Sequence, residues 1–186
     1  MYHLKPILIL LLITVCASSY AQTVNLIDKK GTIKNINLDI GNIAEIYDAT
    51  GGQTINEGTF SDIEFGTTGI IDNSDFTTTS NSISILKAGR YEITYRTSTE
   101  TTNNQRNGGE FFLEINGTEA SGTRAYTYNR NNLVDKNTVT VCKIIQINTE
   151  TTIKIKGQVY ASNQGGTSSS LNMVANGSSL IVKRIK

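Results

Sequence analysis

The feature that most constrains the fold is a series of short segments after residue 58 in which apolar and polar residues alternate. Tyr91-Glu92-Ile93-Thr94-Tyr95 shows the pattern, and similar segments occupy residues 82–85, 110–115, 139–147, 151–156 and 179–185. A period of two is typical of a strand that buries one face. Asn-, Gly-, Ser- and Thr-rich clusters separate the segments and favour turns. The sequence therefore predicts an all-β fold, a sandwich or a barrel.

The first 21 residues have the pattern of a secretory signal peptide. A charged start that contains Lys5 is followed by an apolar run, and the small residues Ser19 and Ala21 precede Gln22. The apolar run is shorter than the roughly 20 residues that span a bilayer. We expect export to the cell surface or the medium, with residues 1–21 removed. A lipid anchor at Cys16 is a minor alternative, because Val15 rather than a small residue precedes that cysteine.

Removal of the signal changes the residue inventory. His3, Pro6 and Cys16 would leave with it, and Cys142 would remain as a single cysteine, without a partner for an intramolecular disulfide. Of the 17 basic residues only Lys5 would be lost, so 17 − 1 = 16 would remain against 16 acidic ones. A net charge of zero gives no reason to expect nucleic acid or an anionic membrane as a partner.

The missing histidine argues against most catalytic sites. Histidine is the commonest general acid or base near neutral pH and the commonest metal ligand. Without it a Ser-His-Asp triad and an imidazole zinc site are excluded. Catalysis by two carboxylates stays open, but no pair stands out from spacing. We expect a protein that is not an enzyme and has no cofactor and no catalytic or metal-binding residue.

Cys142 and the N-terminal third each allow two interpretations. Cys142 lies in an apolar stretch at residues 138–147, which predicts a buried small hydrophobe; the alternative is a reactive or intermolecular thiol. Residues 22–57 are predicted to form a neck or linker, in which residues 28–31 could turn a small hairpin. Ile36, Ile40, Ile43 and Tyr47 have the spacing of a short, trimerising coiled-coil seam, but an extended neck is favoured because Gly41 interrupts the run. Residues 58–186 form the main domain.

Several segments together resemble the C1q-like domain of the complement C1q and tumour necrosis factor superfamily. Residues 76–79 and 82–95 resemble its first half, with Ala88-Gly89-Arg90-Tyr91 matching the alanine-glycine-x-tyrosine step between two strands. Residues 112–117 resemble the strand that ends in an asparagine-glycine turn, here Asn116-Gly117. Residues 179–185 resemble the closing strand. The resemblance covers residues 58–186 and assigns structural roles to Gly89, Tyr91, Asn116 and Gly117.

The resemblance implies a jelly-roll β-sandwich of about ten antiparallel strands that assembles as a homotrimer. No collagen-like repeat precedes the domain, which places the chain closer to bacterial members of the superfamily. Residues 148–150 replace the usual glycine-aspartate turn, so no calcium ligands are carried over. Phe111 and Phe112 are adjacent and must face opposite sides of a strand. The outward ring is covered by a neighbouring loop or by a second subunit, and both options stay open.

Members of this superfamily mostly bind proteins or glycans through loops. The candidate loops here are residues 99–109, 121–132 and 162–170. The second contains Arg124, Tyr126, Tyr128 and Arg130 among asparagines, a composition common at recognition surfaces. We therefore expect a secreted or surface-exposed adhesion module that recognises an extracellular protein or glycan. The alternatives are a structural tip or cap of an extracellular assembly and, less favoured, a carboxylate-based glycan-processing enzyme.

Overall fold

Strands are the regular secondary structure of the part of the chain that the structure describes. This computed structural model describes residues 23–27, 33–37, 42–101, 106–130, 135–160 and 169–185. The strands are β1 (Thr23–Ile27), β2 (Ile33–Asn37), β3 (Ile43–Asp48), β4 (Thr54–Asn56), β5 (Ser61–Asp62), β6 (Gly66–Ile71), β7 (Phe76–Thr78), β8 (Ser82–Ile85), β9 (Gly89–Thr101), β10 (Gly109–Ile115), β11 (Thr118–Glu119), β12 (Ala125–Tyr126), β13 (Lys136–Ile147), β14 (Thr151–Val159), β15 (Ser170–Met173) and β16 (Ser179–Arg184). Among these residues there is no helix long and apolar enough to cross a membrane. The all-β prediction is confirmed.

The chain divides into two compact units, Met1–Ile40 and Gly41–Lys186. In the first unit β1 and β2 pair as an antiparallel hairpin, with Thr23 opposite Asn37 and Ile27 opposite Ile33. The hairpin expected around residues 28–31 is therefore present, although those residues, like the predicted signal peptide at 1–21, lie outside the described ones.

The second unit is a sandwich of two antiparallel sheets. Sheet one has the strand order β4-β15-β9-β16-β3-β6, and β13 pairs with the other side of β9. Sheet two has the order β11-β10-β14-β8-β7, with β12 beside β10 and β5 beside β14. One apolar core joins the inner faces; it includes Ile93 and Leu180 from sheet one and Phe111 and Ile155 from sheet two.

The sandwich begins earlier than the predicted boundary at residue 58. Strand β3 pairs with β16 along its whole length, and β4 pairs with β15. Ala44 and Ile46 of β3 are buried in the core, whereas Ile43 and Tyr47 lie half-buried on the other face of the strand. The spacing of Ile43 and Tyr47 therefore reflects an extended strand and not a helical seam. The Glu, Asp and Asn residues around these positions hid the strand, because β3 buries just one face.

Cys142 is exposed, so the prediction that it is a buried hydrophobe is wrong. Strand β13 is apolar at consecutive positions, and its inward residues are Val139, Val141 and Ile145, which pack against the core. Alternation then directs Cys142 and Ile144 outward, and Ile144 is 57% exposed. The apolar composition of both faces concealed which residues would point inward.

Candidate functional site

The four side chains predicted to form a binding loop share one face of an extended segment. Residues 124, 126, 128 and 130 point outward, while Thr123 before them and Thr127 and Asn129 between them are buried. The segment continues β12 along the edge of sheet two, with Tyr126 opposite Glu110 and Asn129 opposite Asn107. The structure thus brings Arg124, Tyr126, Tyr128 and Arg130 together as an edge ladder, a name we use below for these four residues.

Buried hydrogen bonds fix the orientation of the ladder. The Thr99 hydroxyl donates to Asn129 Oδ1 at 2.8 Å, and its oxygen lies 2.9 Å from Thr127 Oγ1. The Asn129 amide donates to the carbonyl oxygens of Thr99 and Asp135. The Thr123 hydroxyl accepts from the Leu113 amide and donates to the Ala120 carbonyl oxygen. Because these inward groups are paired inside the sandwich, the residues between them must face solvent.

Arg124 is held by two carboxylates and two rings. Its guanidinium forms ion pairs with Glu110 and Glu119, and its Nε donates to Glu119 at 2.9 Å. The same group lies 5.4 Å above the ring of Phe60 and 5.0 Å above that of Phe112. Hydrogen bonds to Glu119 and Glu110 raise the pKa of Arg124, so the cation is permanent. Arg124 therefore orders the ladder and covers apolar rings.

The same contacts show whether a loop or a second subunit covers the outward ring of Phe111 and Phe112. Phe111 is fully buried in the core, and Phe112, on the other face of β10, is 7% exposed. The rings of Phe60 and Phe112 meet edge to face with centroids 4.8 Å apart. Phe60 lies in the loop before β5, so the outward ring is covered within the protomer by a loop and by Arg124.

Glu110 is the polar centre of this surface. Its carboxylate accepts hydrogen bonds from Arg124, from the Tyr126 hydroxyl at 3.2 Å and from the Gln158 amide at 2.9 Å. Burial alone would raise the pKa of Glu110, but the hydrogen bonds from Gln158, Arg124 and Tyr126 outweigh it and lower that pKa below its ordinary value. Glu110 is thus an ionised acceptor around which the neighbouring side chains are arranged.

The strand registers place these residues in rows across sheet two. Tyr126, Glu110 and Gln158 form one row, since Glu110 lies opposite both of the others. In the next row Tyr128 and Tyr160 flank Gly108, whose carbonyl oxygen accepts from the Tyr160 amide at 3.0 Å. A Cβ on Gly108 would lie 2.2 Å from Tyr160 Cε1, so the ring occupies the space above the glycine. Sequence reasoning missed Glu110, Gln158, Gly108 and Tyr160, because they reach the ladder only through the strand register.

The four residues with predicted structural roles lie in β9 and in the turn after β10. Tyr91 is fully buried, its hydroxyl donates to the Lys87 carbonyl oxygen at 2.8 Å, and Gly89 begins β9. Asn116 and Gly117 both have positive φ, 46° and 80°, and form the two-residue turn between β10 and β11. Such a turn matches the twist of the strands that it joins. In the other two candidate loops, residues 102–105 and 162–168 lie outside the described residues.

A second surface lies on the outer face of sheet one. Cross-strand pairs align Cys142, Thr94, Ile181 and Glu45 across β13, β9, β16 and β3. Next to this row is a depression of about 480 Å³, whose lining includes Tyr47, Thr94, Arg96 and Ile181. Among the described residues no group of three or more His, Cys, Asp or Glu side chains is placed to hold a metal ion.

Solved structures of tumour necrosis factor and complement C1q domains resemble this chain. The Eiger tumour necrosis factor from S. frugiperda matches 78% of the chain, and 93% of its own length, with a TM-score of 0.52 and 9% identity. Murine APRIL at pH 8.5 matches 77% of the chain and 98% of its own with a TM-score of 0.50 and 8% identity. The globular domain of zebrafish complement 1qA matches 78% and 98% with a TM-score of 0.49 and 10% identity.

The likenesses to the Eiger tumour necrosis factor and to murine APRIL at pH 8.5 show the class of fold. The chain is a jelly-roll β-sandwich of the C1q and tumour necrosis factor type, as the resemblance predicted. No family model and no curated protein matches the sequence.

Proposed function

We propose that this protein is an exported, homotrimeric binding module that recognises an extracellular protein or glycan through the edge ladder. The observation that carries the proposal is the common orientation of residues 124, 126, 128 and 130, with Tyr126 54% and Tyr128 39% exposed. Tyrosines held by ordered neighbours can contact a partner at little cost in side-chain entropy. The module performs no chemistry of its own.

Export is supported by the pattern of residues 1–21, and binding by the class of fold. Among the proteins with this fold that resemble the chain are an Eiger tumour necrosis factor and APRIL, and neither name denotes an enzyme.

Self-association is proposed to use the outer face of sheet one, with a second copy of the chain as the occupant. Strand β13 forms an edge of the sheet, because among the described residues it pairs with β9 and with no strand on its other side. An edge that also exposes Ile144 is a template for association unless another chain covers it. The proposed number of copies, three, is based on the resemblance to a superfamily whose members form trimers.

An array of oligosaccharides and deglycosylated extracellular-matrix proteins tests the binding role. The exported protein is compared with the double variant Tyr126→Ala/Tyr128→Ala and with Leu86→Ala, which removes an exposed side chain outside the ladder. We expect binding to at least one spot, a loss of tenfold or more in the double variant and no loss in the control. Binding to no spot, or equal binding by the double variant, would overturn the proposal.

A further inference from the structure

The outer face of sheet two contains a right-angled aromatic corner. The rings of Tyr126 and Tyr160 have centroids 5.5 Å apart and an interplanar angle of 85°. Tyr126 is 54% exposed and Tyr160 is half-buried over Gly108. A ring lying over a glycine can keep its outer surface free, and that surface carries the negative side of the ring quadrupole. Such surfaces attract weakly positive C–H groups.

Hydrogen-bonding groups lie beside the corner, in the Tyr126 row. Gln158 donates its amide to Glu110, while its side-chain carbonyl oxygen has no hydrogen bond within the described residues. The Tyr126 hydroxyl donates to Glu110 and can still accept. Fixed donors and acceptors next to an apolar face suit a ligand whose faces carry C–H groups and whose rim carries hydroxyls.

The charges in the row before Tyr126 are already paired. Arg124 in that row forms ion pairs with Glu110 and Glu119. Lys156, in the same row as Arg124, pairs with Asp62 at 2.5 Å and lies 3.8 Å from Glu114. A sulfated or phosphorylated ligand that used these two cations would have to break one of their pairs, whereas an uncharged ligand would not.

The large apolar side chains that the ladder exposes are aromatic. The large hydrophobic side chains that are exposed in the ladder are Tyr126 and Tyr128, while Ile70 and Ile144 belong to strands of sheet one and Leu86 follows β8. A protein partner usually needs a desolvated apolar centre. Half-exposed tyrosines beside a hydrogen-bonded carboxylate fit a polyhydroxylated partner better.

We propose that the Tyr126–Tyr160 corner binds a sugar unit of an uncharged oligosaccharide, with Glu110 and Gln158 ordering its hydroxyls. The inference rests on the proposed binding function and names the class of ligand for that surface.

Titration of the exported protein with cellohexaose, chitohexaose and mannohexaose tests the inference, with heparin hexasaccharide as the charged comparison. We expect at least one neutral hexasaccharide to bind, with an affinity that changes less than threefold between 50 and 500 mM salt. Tyr160→Ala and Tyr126→Ala should each weaken binding tenfold or more, whereas Leu86→Ala, which removes an exposed side chain outside the ladder, should stay within threefold. Urea unfolding of each variant identifies any loss that comes from misfolding, and Tyr160→Leu, which removes the aromatic ring but still fills the space over Gly108, replaces a Tyr160→Ala variant that fails to fold.

The outcomes separate the two proposals. Binding of heparin alone, a steep loss of affinity with salt or unchanged binding by Tyr126→Ala and Tyr160→Ala would overturn the neutral-sugar inference. Binding of matrix proteins but of no hexasaccharide would do the same and leave the binding function standing. Binding of neither class would overturn both.

Discussion

At the scale of single residues, Asp75 shows how one buried carboxylate joins distant parts of the chain. Its side chain is fully buried and pairs with Lys87 at 2.5 Å and Arg184 at 3.0 Å. Burial alone would raise the pKa of Asp75, but hydrogen bonds from Lys87, Asn42, Arg184 and Ser74 outweigh it and lower that pKa. Asn42, before the first strand of the sandwich, and Arg184, at the end of its last strand, thus both contact the Asp75 carboxylate.

We expect Asp75→Asn to lower the free energy of unfolding at pH 7 by about 2 kcal/mol, because two cations lose an ionised partner. Folding lowers the pKa of Asp75, so its contribution is complete above the unfolded value of about 3.9 and disappears as pH falls through the lower folded value. Urea unfolding between pH 2.5 and pH 7 measures both effects.

The variant should therefore lose less stability on acidification than the wild type does. Asp72→Asn is the matched control, since Asp72 accepts an exposed bond from the Ser74 amide. It should change stability by less than about 0.5 kcal/mol. An acid profile of Asp75→Asn that is parallel to the wild-type profile would contradict the assigned role.

The composition of residues 124–130 indicated the residues of the proposed binding surface, but not how they are held. Alternation along an edge segment is hard to recognise there, since Thr127 and Asn129 are polar although they point inward. The pairing of Arg124 with Glu110, 14 positions earlier in the chain, depends on strand register. Tyr160 joins the surface because Gly108 lies opposite it, a relation between two strands that neither local sequence contains.

At the scale of elements, the β10–β11 hairpin depends on the backbone geometry of its turn. Gly117 has φ of 80°, and the space into which a Cβ would project is open, so a substitution there is limited by conformation and not by contact. We expect Gly117→Ala to reduce the free energy of unfolding by about 1–2 kcal/mol, the cost of a left-handed L-residue. Gly117→Asn should cost less, because asparagine tolerates positive φ. Thermal unfolding followed by circular dichroism compares them, and equal losses in both variants would contradict this explanation.

Strand existence was easier to predict than strand placement. The segments at 82–85, 110–115, 139–147, 151–156 and 179–185 lie in β8, β10, β13, β14 and β16. The alternation of apolar and polar residues is visible in these segments because each strand has one face in the core. Strand β3 was missed since Glu45 and Asp48 dilute its pattern, although the β3 carboxylate Asp48 is buried and accepts from the Thr50 and Gly51 amides.

At the scale of the whole molecule, the exposed thiol of Cys142 gives a test of assembly. We expect sedimentation of the exported protein, whose mass should correspond to a chain starting at Gln22, to give three protomers per particle. Ile144→Asp places a charge on the exposed face of β13 and should yield folded monomers. Cys142 lies beside it on that face, so a thiol reagent should react at least tenfold faster in Ile144→Asp than in the wild type.

Leu86→Asp is the matched control, because Leu86 is exposed but lies outside β13. It should leave both the sedimentation and the slow thiol reaction unchanged. A wild-type protein that sediments as a stable monomer at micromolar concentration, or whose Cys142 reacts at the rate of the Ile144→Asp variant, would contradict assembly through sheet one.

The outer faces of the two sheets point away from each other across the core. If each of three copies buries the outer face of its sheet one against the other two, the tyrosines of sheet two point outward. Such a particle would present three copies of the edge ladder. On a polymer with repeated identical units, three weak contacts held together act with a strength that can exceed a single contact by about 10²–10⁴. Each contact can still open and close rapidly, so such a particle would hold a surface firmly and yet move along it.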